Sequence, residues 1–149
     1  MNLNYKLSSV HPENHLIEIE FRVSAISGNI ELQMPAWRPG RYELGNFSKN
    51  IQKISVVNSE NYPLPFQKTT KDRWYIETKE NSEITVKYTL YAKDLNAGST
   101  YVDEKQLYIN PVNSLLYVVE RENEQHNVEV DFLTNPEYAT SLKREGNRL

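Results

Sequence analysis

Apolar and polar residues alternate along most of this chain, and this alternation is typical of β-strands with one buried face. From His15 to Ala25, apolar side chains occupy every second position and mostly charged side chains lie between them. Residues 84–90 repeat the pattern, and shorter alternating runs occur at 3–9, 30–34, 51–57, 73–78 and 128–132. No stretch keeps a 3.6-residue apolar period over two helical turns, so the pattern predicts strands separated by turns.

Two segments depart from simple alternation in an informative way. Residues 62–66 carry two prolines, which confines that segment to a sheet edge. Residues 115–119 are apolar on both faces, which predicts a central strand. In all, about nine or ten short strands predict an all-β chain, built as an antiparallel β-sandwich or barrel. Short loops and prolines at the sheet edges favour the sandwich over the barrel.

The segment 34–50 interrupts the strands with unusual turn chemistry. Pro35 closes the preceding strand, and Pro39 and Gly40 suit the central positions of a type II turn. Two interpretations fit the large side chains around this turn, which are Trp37, Arg38, Arg41 and Tyr42. Either Trp37 and Tyr42 anchor a surface corner in the core, or a rigid loop presents Arg38 or Arg41 to an anion or a neighbouring domain.

The length and composition of the chain limit the functions and partners that it can have. The 149 residues fit one domain, residues 1–149, which ends in a closing loop and the start of a linker at 134–149. Seventeen basic and 20 acidic residues give a net charge of −3 without blocks of like charge, so neither nucleic acid nor a membrane is expected as a partner. The chain has no cysteine, which excludes disulfides and thiolate chemistry. No signal sequence is visible, and the expected location is cytoplasmic.

The candidate catalytic patterns are weak. His11 and His15 have the i, i+4 spacing of a zinc-binding helix, but Pro12 occupies the position of the required glutamate and the run from His15 is a strand. His126 lies among polar residues and is expected to be solvated. Glu18 and Glu20 share a strand face with Arg22, which indicates a solvated surface. We therefore expect no catalytic residue, metal or cofactor on this chain.

Several motifs resemble the N-terminal domain of the glycyl aminopeptidase family, which are zinc metallopeptidases of the thermolysin-like clan, often with a PDZ domain. Residues 34–42 (M-P-A-W-R-P-G-R-Y) resemble the family pattern M-P-x-W-x-P-G-x-Y, and 47–51 resemble its F-A-x-N-V. Weaker likenesses lie at 99–103, 107–111 and 139–142. The chain departs from the family where Gly45-Asn46 replaces an arginine followed by an acidic residue. A second departure is Pro111, where relatives have glycine.

The resemblance implies the amino-terminal, non-catalytic domain of a longer zinc aminopeptidase. Its partner would be a downstream catalytic domain that holds zinc, and the domain would help form the cleft for a peptide substrate. The implied structural motif is Met34, Pro35, Trp37, Pro39, Gly40 and Tyr42, and the candidate substrate or domain-interface residues are Arg38, Arg41 and Tyr42. The alternative is a stand-alone β-sandwich module that recognises carbohydrate through exposed rings, or peptide through an edge strand.

Overall fold

The computed structural model describes residues 3–133 and 136–145. In this part of the chain the strands are β1 (Leu3–Ser8), β2 (Leu16–Ser24), β3 (Ile30–Gln33), β4 (Ile51–Asn58), β5 (Phe66–Thr70), β6 (Arg73–Ile76), β7 (Glu83–Tyr91), β8 (Tyr101–Val102), β9 (Leu107–Tyr108), β10 (Tyr117–Val118) and β11 (His126–Asp131). The helical elements are two 3-10 turns, Pro12–Asn14 and Phe47–Asn50, and a one-turn helix α1 (Pro111–Ser114).

Two main sheets form a sandwich-like fold, which confirms the predicted class. One sheet has the order β11-β1-β2-β7-β4, the other has the order β10-β3-β6-β5, and β8 and β9 form a small hairpin. Side chains from both main sheets meet in a single apolar core, to which β2 contributes Phe21 and β6 contributes Trp74. The structure has slightly more strands than predicted, because it includes three two-residue strands.

The alternating pattern of the longest strands sets which side chains enter this core. In β2 the apolar residues Ile17, Ile19, Phe21 and Val23 are all at most 1% exposed. They lie opposite equally buried residues of antiparallel β7, with Phe21 paired to Val86. The predicted inward faces of both strands are therefore confirmed.

Three sequence predictions differ from the structure. Within residues 115–119 only Tyr117–Val118 form a strand, β10, and it lies at the edge of its sheet, so the predicted central strand is wrong although Leu116 and Val118 are buried. The segment is apolar because Leu116 and Val118 enter the core and Leu115 packs against it. In addition, β11 pairs with β1 in parallel, within a sheet whose other pairs are antiparallel. His126 is half-buried and stacks at 5.8 Å on the ring of Tyr5, so the expectation of a solvated ring is wrong.

Two buried tyrosines of the larger sheet fasten the segment between α1 and β10. The hydroxyl of Tyr5 donates to the carbonyl of Leu116 at 2.8 Å. The hydroxyl of Tyr88 donates to the carbonyl of Ser114 at 2.8 Å and accepts from the amide of Leu116 at 3.2 Å. Burial raises the pKa of both phenols, and the pKa of Tyr5 is raised further by the proximity of Tyr88.

The end of the chain is described only in part. Residues 136–145 are without regular strand or helix, and the guanidinium of Arg144 lies 4.0 Å from the centre of the Tyr138 ring. Residues 134–135 and 146–149 lie outside the described residues, so the closing loop and linker at 134–149 stay a prediction. Among the described residues, no helix has the length and apolarity that crossing a membrane requires.

Candidate functional site

The segment 34–50, which we call the corner loop, connects the smaller sheet to the larger one. It leaves β3 at Met34, whose side chain is fully buried and whose amide donates to the carbonyl of Asp72 at 2.9 Å. It ends in the 3-10 turn Phe47–Asn50, directly before β4. The corner loop is therefore attached to the sandwich at both ends.

A tight turn lies at the outer end of the corner loop. The amide of Arg41 donates to the carbonyl of Arg38 at 3.3 Å, and Gly40 has a φ of +85°. Those features fit a type II turn with Pro39 and Gly40 in the central positions, as the sequence predicts. The glycine is required here because L-residues with a side chain rarely adopt this φ.

Replacement of Gly40 by valine is expected to destabilise the protein by about 1 kcal/mol or more, because a β-branched residue is strained at positive φ. No atom lies within 4 Å of the position of a new Cβ, so the cost comes from the backbone alone. Gly40→Asn is the matched control, since asparagine tolerates this region. Urea unfolding of both variants measures the difference, and equal stabilities would contradict the turn geometry.

The two large rings of the corner loop point to solvent. Trp37 is 52% exposed and Tyr42 is fully exposed, so the interpretation that both rings are buried in the core is wrong. Trp37 is held within the loop instead, because its Nε1 donates to the carbonyl of Arg41 at 2.7 Å. With Leu44, which is 71% exposed, these residues line a shallow groove of about 390 Å³. We call Trp37, Tyr42 and Leu44 the outer apolar face.

Interactions within the protein hold the returning half of the corner loop. The amide of Gly45 donates to the carbonyl of Ala36 at 2.7 Å, and a side chain at position 45 would collide with the ring of Phe47. The hydroxyl of the buried Ser48 donates to the carbonyl of Lys71 at 2.7 Å. The ring of Phe47 therefore occupies the space that a side chain at position 45 would need.

The two arginines of the corner loop have different environments. Arg38 is half-buried, and its guanidinium donates to the carbonyl of Ala97 at 2.7 Å, which ties the corner loop to residues 94–99. Arg41 is exposed and lies 3.8 Å from the carboxylate of Glu43, too far for a hydrogen bond. The sequence did not indicate Leu44 or the loop at 94–99 as parts of the site. The feature of the sequence that could have indicated this contact is Gly98, because the absence of a side chain there leaves room for the guanidinium of Arg38.

The histidines do not form a metal site with each other. His11 lies 3.2 Å from the carboxylate of Glu13, whereas His15 Nδ1 is 2.6 Å from the carbonyl of Val102. Within residues 3–133 and 136–145 there is no group of three or more histidine, aspartate or glutamate side chains that could hold a metal ion. The described residues therefore do not fit a zinc ion.

A family model and several solved structures match this chain. The family model of the peptidase M61 N-terminal domain matches residues 4–148. An aminopeptidase N family protein from Idiomarina loihiensis has a similar structure, with a TM-score of 0.81 and 25% identity over 87% of this chain. This chain covers only 22% of that protein. An M1 zinc metallopeptidase from Deinococcus radiodurans also matches, over 99% of this chain and 37% of its own, at 12% identity. Its TM-score is 0.44. A search of curated proteins gave no match.

Proposed function

Because this chain belongs to the family of peptidase M61 N-terminal domains, we propose that it is the non-catalytic β domain of a larger zinc aminopeptidase. In this proposal it packs on a downstream catalytic domain and helps to shape the cleft for the substrate. Zinc would be held by that other domain, since the described residues of this chain offer no suitable group of ligands. The cytoplasmic location and the lack of nucleic-acid and membrane partners stay predictions.

The observation that carries the proposal is the outer apolar face on an anchored loop. Trp37, Tyr42 and Leu44 expose apolar surface that would be favourable to bury against a partner. Aromatic side chains are also the residues that most often dominate the binding energy of an interface. The hydrogen bonds of the corner loop to the sandwich reduce the entropy that would be lost on packing. A neighbouring domain of the same protein is the partner that family membership favours.

The first test is to read the gene beyond the codon for Leu149. The proposal expects a coding region for a helix with the H-E-x-x-H motif, followed by a further glutamate, because the two histidines and that downstream glutamate bind zinc in such enzymes. A stop codon directly after Leu149 would contradict it and favour a stand-alone domain.

The second test changes the outer apolar face in the full-length gene product. Trp37→Ala combined with Tyr42→Ala is expected to lower kcat/KM for an aminoacyl reporter by about tenfold or more, because both rings leave the interface. Calorimetry should also show the β domain unfolding separately from the rest.

The control for this test is Tyr62→Ala, which removes a ring that is 64% exposed on a different loop. It should leave both the activity and the unfolding profile unchanged. An unaltered kcat/KM and a single unfolding transition in the double variant would count against packing through the outer apolar face.

A recognition module for carbohydrate is the second candidate, because the rings of Trp37 and Tyr42 are exposed and rings of this kind can stack on sugars. No stacking contact between these two rings is found in the described part of the chain. Saturable quenching of Trp37 fluorescence by oligosaccharides, together with a stop codon after Leu149, would favour this candidate.

A further inference from the structure

A small recess lies between the corner loop and the loop at 94–99. Its volume is about 160 Å³, which suits a small ionic group better than a segment of polypeptide chain. Its walls include Arg38, Arg41, Glu43, Phe47, Asn96 and Gly98. Two positive side chains and one negative side chain give the recess a formal charge of +1, although the whole chain carries −3.

Arg38 is already positioned in the wall of this recess. Its guanidinium lies against Gly98, where the backbone has no Cβ to displace it, and one of its nitrogens donates to the carbonyl of Ala97. Ala97 provides the one acceptor found for Arg38 among residues 3–133 and 136–145. An arginine side chain carries five N–H donors in a planar fork, so several donors remain for a ligand. Little additional side-chain entropy would be lost when such a ligand binds.

Arg41 adds a second positive charge that is only weakly paired. The distance of 3.8 Å between its guanidinium and Glu43 indicates an exposed ion pair without a hydrogen bond. Such exposed pairs contribute little to stability. An incoming anion can therefore compete with the Glu43 carboxylate for Arg41.

We propose that this recess binds a single carboxylate between Arg38 and Arg41. The guanidinium fork matches a carboxylate through two parallel hydrogen bonds. A singly charged carboxylate would neutralise the formal charge of +1 of the recess, whereas a doubly charged phosphate would leave an excess negative charge beside Glu43, so a carboxylate is the favoured ligand. The inference rests on the proposed function only for the origin of the carboxylate, which would be a peptide terminus or an acidic side chain of the neighbouring domain.

The test measures carboxylate binding to the 149-residue chain by NMR titration of the arginine Nε–H signals. The probes are N-acetylglycylglycine, which has a terminal carboxylate, and N-acetylglutamic acid amide, which has a side-chain carboxylate. N-acetylglycylglycine amide is the uncharged control. Binding of either acid in preference to the amide supports the proposal. If N-acetylglycylglycine binds more tightly, the result favours a peptide terminus as the ligand, and if N-acetylglutamic acid amide binds more tightly, it favours an acidic side chain. Equal shifts with the amide would overturn it.

Variants assign the binding to the recess. Arg38→Gln and Arg41→Gln are each expected to weaken binding by about tenfold or more, because each removes charge-assisted hydrogen bonds. Glu43→Gln is expected to tighten it by about two- to fivefold, since a competing carboxylate is lost. Arg22→Gln, on the exposed face of β2, is the matched control and should have no effect. Unchanged affinity in both Arg38→Gln and Arg41→Gln would overturn the proposal.

Gly98→Ala gives an independent test that keeps the charge of the recess. A Cβ at this position would collide with the guanidinium of Arg38, which is the far end of a long side chain, so the arginine should be displaced while the fold persists. We expect binding to weaken in the same direction as in Arg38→Gln, and wild-type affinity in Gly98→Ala would contradict the role of Arg38. Loss of carboxylate binding would leave the activity test of Trp37 and Tyr42 unaffected, so the two proposals can fail separately.

Discussion

Replacement of Phe21 by alanine is expected to lower the free energy of unfolding by about 3–5 kcal/mol. Phe21 is fully buried at the middle of the larger sheet, and its ring stacks on that of Tyr5 with centroids 4.2 Å apart. It lies between Tyr5 on β1 and Val86 on β7, so the lost ring would leave a cavity bounded by three strands. Strands that are paired on both sides cannot move inward easily, and the cavity should therefore stay largely open.

Guanidinium unfolding followed by tryptophan fluorescence measures this change. The control is Val10→Ala, which truncates a side chain that is 69% exposed and should change stability by less than about 0.5 kcal/mol. A loss below about 1.5 kcal/mol for Phe21→Ala, with an unchanged dependence on denaturant, would mean that Phe21 is not at the centre of the core.

The protein is expected to lose stability steeply as the pH rises above about 10, the pKa of an unfolded tyrosine. Burial raises the pKa of Tyr5 and Tyr88 in the folded state. Above pH 10 the unfolded chain therefore releases protons that the folded chain retains, and stability falls with rising pH. Each phenol contributes a slope of up to about 1.4 kcal/mol per pH unit, so the two together give up to about 2.8 kcal/mol per unit. Below pH 10 their contribution is constant.

Variants separate this effect from general alkaline unfolding. Tyr88→Phe should reduce the slope by about 1.4 kcal/mol per pH unit, because one titrating phenol is lost. It should also lower stability at neutral pH by about 1–3 kcal/mol, because the carbonyl of Ser114 and the amide of Leu116 lose their partner. Tyr62→Phe, at an exposed position, should leave the slope unchanged. A slope that is the same in Tyr88→Phe and in the wild type would contradict the assignment.

The sequence determined the parts of the structure that depend on local rules. Because neighbouring side chains of a strand point to opposite faces, the alternation around Phe21 was sufficient to identify its buried face. The dipeptide Pro39-Gly40 was sufficient to predict the turn. The proline ring fixes the negative φ of the first central position, and the glycine, which has no Cβ, permits the positive φ of the second. The family motif at 34–42 likewise indicated the class of domain from the order of its residues, and the match over 4–148 agrees with it.

The tertiary structure decided which distant segments meet. Size and apolarity favour burial of Trp37, but the ring is 52% exposed and its N–H donates to the carbonyl of Arg41 within the loop. The contact between Arg38 and Ala97 joins residues 59 positions apart. His126 meets Tyr5 across 121 positions, because β11 adds to the edge of β1 in parallel. Such contacts depend on the order of strands in the two sheets, which is set by packing of the whole core and is not encoded in any local pattern.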